Sequence, residues 1–314
     1  MQPKNSQGTR PQHVRTMALN IGIGIDGSKL SDMAQAFAAA LVKRRGVKGD
    51  KLTAMHIVPQ PDKLELVPDH LKPEKLEGDT KAFAAKEELE LDWLDEVREK
   101  GMKTGEALCK LTVDAGVQFT CVGSWGRKDP DDPDHLGSTG SEPLKLMNCG
   151  CFVVKNTSRI PDDGPVRWLV STDDSDYAIK AIKDTKSLMK EGDTLEVFFP
   201  TSGTVGMRTA GTEVDSFKAR KAAKYEQMCD TFTFLLKEPG DEVSDVIIKQ
   251  VESSEADVLV IAHKGLTYSY QHSYAEAIEQ VHLGSVATSL VRKAKCTVLI
   301  TKGRVDGLKE GMWE

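Results

Sequence analysis

Two stretches of this chain repeat each other in order, and that duplication constrains the fold before any secondary structure is considered. His135-Leu136-Gly137-Ser138 returns as His282-Leu283-Gly284-Ser285, an offset of 147 residues. Asp26 and Asp173, Ser28 and Ser175, Ala34 and Ala181, and Cys149 and Cys296 keep that same offset of 147. Gly49-Asp50-Lys51-Leu52 comes back as Gly192-Asp193-Thr194-Leu195 at an offset of 143, and Gly126 as Gly265 at 139. A loop eight residues longer in the second copy then restores 147. A register that is lost and regained describes two copies of one fold whose loops differ in length.

Each copy is about 140 residues, enough to enclose one hydrophobic core. The expected division is a disordered tail over 1–17, a first domain over 18–155, a linker over 156–166, a second domain over 167–302 and a tail over 303–314. Pro161, Gly164 and Pro165 punctuate the linker. The first 20 residues hold Lys4, Arg10 and Arg15 with no acid. They have neither an apolar signal core nor an amphipathic face, so they read as a tail rather than a targeting segment. With 39% hydrophobic and 29% charged residues the chain is not an acidic disordered polymer. No apolar run approaches the ~18 residues a membrane-spanning helix needs. A net charge of −6 argues against nucleic acid as a partner. Six cysteines without a CxxC pair fit reduced thiols in a cytoplasmic protein.

Within each copy, short apolar runs alternate with helical spacing. Strands are expected at 19–25, 52–58, 117–122 and 151–154 in the first copy. In the second they are expected at 168–172, 195–199, 232–236, 257–261 and 297–301. Met33, Phe37, Ala40 and Leu41 recur at helical intervals. Ala82, Ala85, Leu89, Trp93 and Val97 predict one face of a long helix. No strand is legible between 100 and 108, which leaves the first sheet one strand short there. The alternation implies two tandem doubly wound parallel-sheet α/β domains. Their apolar last strands, 151–154 and 297–301, are unpaired edges expected to pair within the chain, giving a pseudo-two-fold sandwich of domains.

Ligands in open α/β sheets sit beyond the carboxyl ends of the strands. There the first copy carries Asp26-Gly27-Ser28, and later Gly123-Ser124-Trp125-Gly126 followed after ten residues by Gly137-Ser138. Clustered glycines let backbone N–H groups approach phosphates, and Gly-Ser at a helix start adds a hydroxyl and a positive helix end. A carboxylate at the end of the first strand can accept hydrogen bonds from an adenine amino group or a ribose hydroxyl. The same residues also read as turn glycines and a helix cap. Gly22-Ile23-Gly24-Ile25-Asp26-Gly27 matches GxGxxG, but the second copy has Leu169, Ser171 and Asp174 at the glycine positions and no acid ends the next strand.

These residues resemble the universal stress protein family in its tandem two-domain form. Ile25-Asp26-Gly27-Ser28 looks like the family's opening motif and Met55-His56-Ile57-Val58 like its second strand. Gly123-x2-Gly126-x10-Gly137-Ser138 is similar to its ATP signature, with one residue more. The resemblance implies nucleotide-binding alpha-hydrolase-like domains of five parallel strands, paired through their last strands. It also implies binding of ATP or AMP, with Mg²⁺ alongside ATP, in a stress-response role without obligatory turnover. Asp26 would be the adenine or ribose carboxylate, and the backbone of Ile57 an adenine contact. Gly123, Gly126, Gly137 and Ser138 would hold ribose and phosphates. Asp173, Gly265, Gly284 and Ser285 would form a weaker second site. Assembly would be an intramolecular pseudo-dimer, with a homodimer left open.

Departures temper the second site most. Ala262 replaces the first glycine, eighteen residues separate Gly265 from Gly284, and Pro200 falls at the Ile57 position without an N–H. In the first copy Asp129, Asp131, Asp132 and Asp134 would repel phosphate unless Mg²⁺ intervenes or they face solvent, with Arg127 and Lys128 offsetting them in part. His135 and His282 read as histidines at a helix start, Trp125 as a base-stacking or sheet-capping ring, and Cys149-x-Cys151 as packing thiols. No general base can be named, so catalytic residues are not expected. The competing readings are an interaction scaffold of the same fold that binds no nucleotide, and a slow nucleotide hydrolase.

Overall fold

A computed structural model of the chain describes residues 17–127, 136–158, 164–202, 211–263 and 283–302. The acidic stretch from Asp129 to Asp134, Lys128, His135, Gly265 and His282 therefore lie outside the described residues, as do both tails and the centre of the linker.

The first half runs β1 (Asn20–Ile25), α1 (Lys29–Arg45), β2 (Lys51–Val58), α2 (Pro61–Leu64), α3 (Pro73–Lys86) and β3 (Leu91–Val97). It continues through α4 (Thr104–Asp114), β4 (Phe119–Gly123), α5 (Ser138–Leu146) and β5 (Gly150–Val154). The second half repeats the plan with β6 (Arg167–Ser171), α6 (Asp176–Leu188), β7 (Thr194–Ser202), α7 (Gly211–Tyr225) and β8 (Thr231–Lys237). It closes with α8 (Val243–Ser253), β9 (Val258–Ala262), α9 (Ser285–Lys293) and β10 (Thr297–Thr301). The ten strands form one sheet in the order β3-β2-β1-β4-β5-β10-β9-β6-β7-β8. All pairings are parallel except the central one, where β5 and β10 run antiparallel with Val153 opposite Val298 and Phe152 opposite Leu299. The last strands thus pair as expected, but edge to edge in a continuous sheet rather than as a sandwich. No helix among the described residues is long and apolar enough to cross a membrane.

The expected long helix over 82–97 does not form. Helix α3 stops at Lys86, and Leu91–Val97 is strand β3, which completes five strands in the first half. Ala82, Ala85, Leu89, Trp93 and Val97 fit a helical period by coincidence. Leu76, Thr80 and Ala84 are the residues α3 buries, and Ala82 and Ala85 are exposed. Glu88, in the left-handed region at φ 57°, reverses the chain between helix and strand without a glycine to announce it.

Alternation along β5 and β10 divides the apolar residues between two cores, one per face of the sheet. Phe152, Val154 and Leu299 enter the core beneath α1 and α6, while Cys151, Val153, Val298 and Ile300 enter the opposite one. Each core therefore runs unbroken across the seam. Polar contacts close the seam at its ends. Lys155 donates to the Arg292 carbonyl oxygen in α9 at 3.0 Å, and its repeat partner Lys302 donates to the Pro143 carbonyl oxygen in α5 at 3.1 Å. A lysine is well placed near helix C-termini, whose last carbonyls lack helical partners. On the other face Arg44 of α1 reaches Asp193 in the turn before β7 at 2.5 Å, with side chains only 3% and 1% exposed.

Removing Arg44 takes the guanidinium from a buried carboxylate that keeps the N–H donors of Val166, Lys190 and the Trp168 ring. Arg44→Met should lower unfolding free energy by about 3–5 kcal/mol in urea titrations. Lys43→Met, which breaks the solvent-exposed pair with Glu87, should cost less than about 1 kcal/mol.

Candidate functional site

Strand β1 pairs with β2 as far as Ile25 opposite His56, and the chain then turns away into α1. Ile57, one residue beyond that last pair, is left facing the gap. Asp26 shapes the turn: its Oδ1 accepts the Ser28 N–H at 2.9 Å, and Ser28 Oγ in turn caps α1 by accepting the Ser31 N–H at 3.2 Å. Gly27 sits at φ 73°, and a Cβ there would lie 2.5 Å from Leu71 Cδ2. Gly22 and Gly24 lie within β1 itself, facing the side chains of Met55 and Leu108. They are not a loop at a helix start, so the GxGxxG match is a coincidence of strand and turn glycines.

A cavity of about 410 Å³ opens at this strand end. Asp26, Ile57, Gly123, Gly126 and Gly137 all line it, so the structure gathers five of the six first-copy candidates around one space. The sixth, Ser138, is the first residue of α5, directly after Gly137. The glycines serve different ends. A Cβ on Gly126 would lie 2.8 Å from Asp26 Oδ2, so a side chain there would push the carboxylate aside, and glycine lets the loop pass this close to it. A Cβ on Gly123 would meet Leu30 of α1 at 2.7 Å, a packing demand rather than a ligand one. Gly137 donates its N–H to the Ser124 carbonyl oxygen at 2.9 Å, and a Cβ there would lie 3.1 Å from Trp125 Cα.

Two cationic side chains complete the wall: Arg127, which the sequence offered as a partial offset to the acidic loop, and Arg98, which the sequence reading passed over. Arg127 donates from Nε to the Asp26 carbonyl oxygen at 2.7 Å, and Arg98 donates to Thr104 Oγ1 at 3.3 Å. Arg98 follows β3, so taking that strand for a helix hid its position. The 140-residue offset between β3 and β8 was the signal that could have found it.

In the second copy Asp173 repeats the Asp26 turn, accepting the Ser175 N–H at 3.1 Å, and Ser175 caps α6. The next residue differs. Asp174 takes the Gly27 position at φ 66° and is held by Lys221, by Lys224 at 2.7 Å and by the Tyr225 hydroxyl at 2.7 Å. Pro200 lies within β7, Ala262 ends β9, and Gly284 precedes Ser285 at the start of α9 with nothing among the described residues within 4 Å of where its Cβ would be.

His56, only 2% exposed, also lines the first cavity. Its Nδ1 lies 2.7 Å from the Ile25 carbonyl oxygen, so the proton belongs on Nδ1, and Nε2 has no partner among the described residues. The ring stacks on Trp93 at 6.1 Å. Burial pushes its pKa below the ordinary value, with the Ile25 carbonyl opposing. The unfolded chain then takes up this proton first, near pH 6.5. Stability from the neutral ring is therefore full above about pH 6.5 and declines as pH falls toward the folded value. Melting temperature should drop from pH 7 to 5.5, and His56→Gln should flatten that slope.

A family model described as the universal stress protein family matches residues 17–155 and again 167–302. No curated protein matches the chain by sequence. Among solved structures, a universal stress protein from Archaeoglobus fulgidus DSM 4304 is similar at 15% identity and a TM-score of 0.59, covering 91% of this chain and 96% of that one. A functionally unknown protein from Pseudomonas aeruginosa PAO1 is similar at 15% identity and a TM-score of 0.64, covering 92% and 94%. At that identity the neighbours speak to the fold alone. The family model, matched in both halves and over most of the residues, carries the assignment: the chain belongs to the universal stress protein family, in a tandem two-domain form.

Proposed function

We propose that the cavity at the end of β1 binds an adenine nucleotide, ATP with Mg²⁺ or AMP, and that the protein senses it in a stress response without obligatory turnover. The observation that carries this reading is the approach of Gly126 to Asp26. A loop glycine whose backbone passes this close to a strand-end carboxylate makes a cradle in which Asp26 accepts hydrogen bonds from the adenine amino group or ribose. Arg98 and Arg127 supply positive charge on the same wall. Gly137 and Ser138 place the start of α5 at the cavity, where free N–H groups and the helix dipole favour phosphate. The backbone of Ile57 borders the base. The working division is two domains, 18–155 and 167–302, with this first site dominant and the second, at Asp173, Gly265, Gly284 and Ser285, weak. Six free thiols suit a cytoplasmic setting.

Isothermal titration with Mg²⁺-ATP and with AMP tests the reading. Asp26→Ala should weaken binding at least about tenfold, as loss of a charge-assisted hydrogen bond does. Asp26→Asn, which keeps an oxygen for the Ser28 N–H, separates lost charge from a disturbed turn. Gly126→Val should abolish binding, and Asp173→Ala should change it little. A folded wild type that binds neither nucleotide at millimolar concentration would favour the scaffold reading. Steady phosphate release abolished by Asp26→Ala would favour a hydrolase.

A further inference from the structure

A second cavity, of about 630 Å³, lies far from the strand-end site, between the two halves. One wall is the amino-terminal edge of the first half, including Leu19, Phe119 and Gly150; the other is a face of α6 from the second half. The internal repeat supplies the control. On α6 the cavity is lined by Lys180, Lys183, Asp184, Lys186 and Ser187. Their counterparts 147 residues earlier, on α1, are Met33, Ala36, Phe37, Ala39 and Ala40. In the first half Phe37 is 4% exposed and packs on Phe152 at 5.2 Å between ring centroids. In the second half the same helical position is an aspartate, and space opens beside it.

The charges around that space do not balance. Arg45 is matched by Asp50 at 2.6 Å, and Lys180 by Asp184 at 2.5 Å. Lys183 and Lys186 have no carboxylate within salt-bridge distance among the described residues. Lys302, buried and donating to the Pro143 carbonyl oxygen, also lines the space. Burial holds the Lys186 ammonium below its ordinary pKa, a cost that a bound anion would offset. The chain as a whole carries −6, so this is a basic pocket in an acidic protein. The stretches that adjoin its lining at Met17 and Lys302 do not supply the missing negative charge: the first 16 residues bring Lys4, Arg10 and Arg15 and no acid, and residues 303–314 bring Asp306, Glu310 and Glu314 against Arg304 and Lys309, a joint side-chain charge of +2.

We infer that this inter-domain cavity is a binding site for a compact polyanion of the phosphorylated-metabolite class, distinct from the strand-end site. Its volume falls in the range of small-molecule pockets, about 300–1,000 Å³. Lysines suit phosphate groups, to which they present strongly hydrated point charges. A ligand held by Lys183 and Lys186 from one half against the strand edge of the other would also tie the halves together.

The probe is inorganic tripolyphosphate, titrated calorimetrically into the full chain at low ionic strength, where screening is weak. Wild type should bind with a stoichiometry near one and melt at a higher temperature with the probe present. The double substitution Lys183→Gln/Lys186→Gln should weaken binding at least about tenfold. Lys180→Met/Asp184→Phe, which restores the apolar pattern of α1, should abolish it by filling the space. Asp26→Ala and Gly126→Val should leave this binding event unchanged, and any weaker binding that they remove belongs to the proposed nucleotide site, whose phosphate end takes the same probe. Lys63→Gln/Lys75→Gln, on exposed lysines of the first half, should also leave it unchanged. Absence of binding at millimolar probe, equal loss in the Lys63/Lys75 control, or loss in the Gly126 variant with retention in the Lys183/Lys186 variant would each overturn the inference.

Discussion

The antiparallel contact between β5 and β10 is the joint on which the molecule depends. Each half is a five-stranded parallel sheet whose last strand is apolar on both faces, and such a strand cannot be left at an open edge. Pairing Cys151–Val153 with Val298–Ile300 covers both edges at once and aligns the two sheets in register. Because side chains alternate across a strand, the same pairing joins the core above the sheet and the core below it. The reciprocal lysines, Lys155 and Lys302, and the Arg44–Asp193 pair then close the rim of an interface that is apolar at its centre. The strands left at the outer ends, β3 and β8, are half-exposed, and β3 carries Asp92, Asp95 and Glu96, which discourage pairing with another chain.

The two halves share a scaffold and differ at its functional end. At the turn after the opening strand, a glycine in one half and an aspartate in the other adopt nearly the same left-handed backbone. Gly27 leaves that turn to apolar packing under Leu71 and Leu76, whereas Asp174 draws α7 in through Lys221, Lys224 and Tyr225. The carboxylates before them, Asp26 and Asp173, make the same turn and cap-supporting bonds. What distinguishes the halves among the described residues is therefore the setting of a common acid: Gly126 and two arginines line a cavity with the first, whereas a lysine-bound Asp174 directly follows the second.

Most of the architecture was legible because the repeat doubled every signal. Most strand ends moved by a residue at most, although β4 starts two residues later and β7 runs three residues further than expected, and Asp26, Gly126 and Gly137 came together at one cavity. What stayed hidden was hidden for physical reasons. Strand β3 is an edge strand with acids along it, so it lacks the continuous apolar run that marks a buried parallel strand. The turn before it uses Glu88 where a glycine would have been a punctuation mark. Arg98 disappeared with the strand. The lysines of α6 look like an ordinary solvated helix face in sequence, and only the position of that face against the opposite half gives them a cavity to line.

Joining the halves in one chain has a consequence for divergence. In an assembly of two identical subunits, every substitution appears on both sides of the joint, so a change useful at one site is imposed on its twin. Here the partner strand is tethered at a fixed and high effective concentration, and dilution cannot separate it. Each half can then be altered alone. Phe37 can remain a core residue while its counterpart becomes Asp184, and a glycine turn can persist in one half while the other trades it for a lysine-bound aspartate. Duplication has made one architecture into two independently adjustable ones that still share a single sheet.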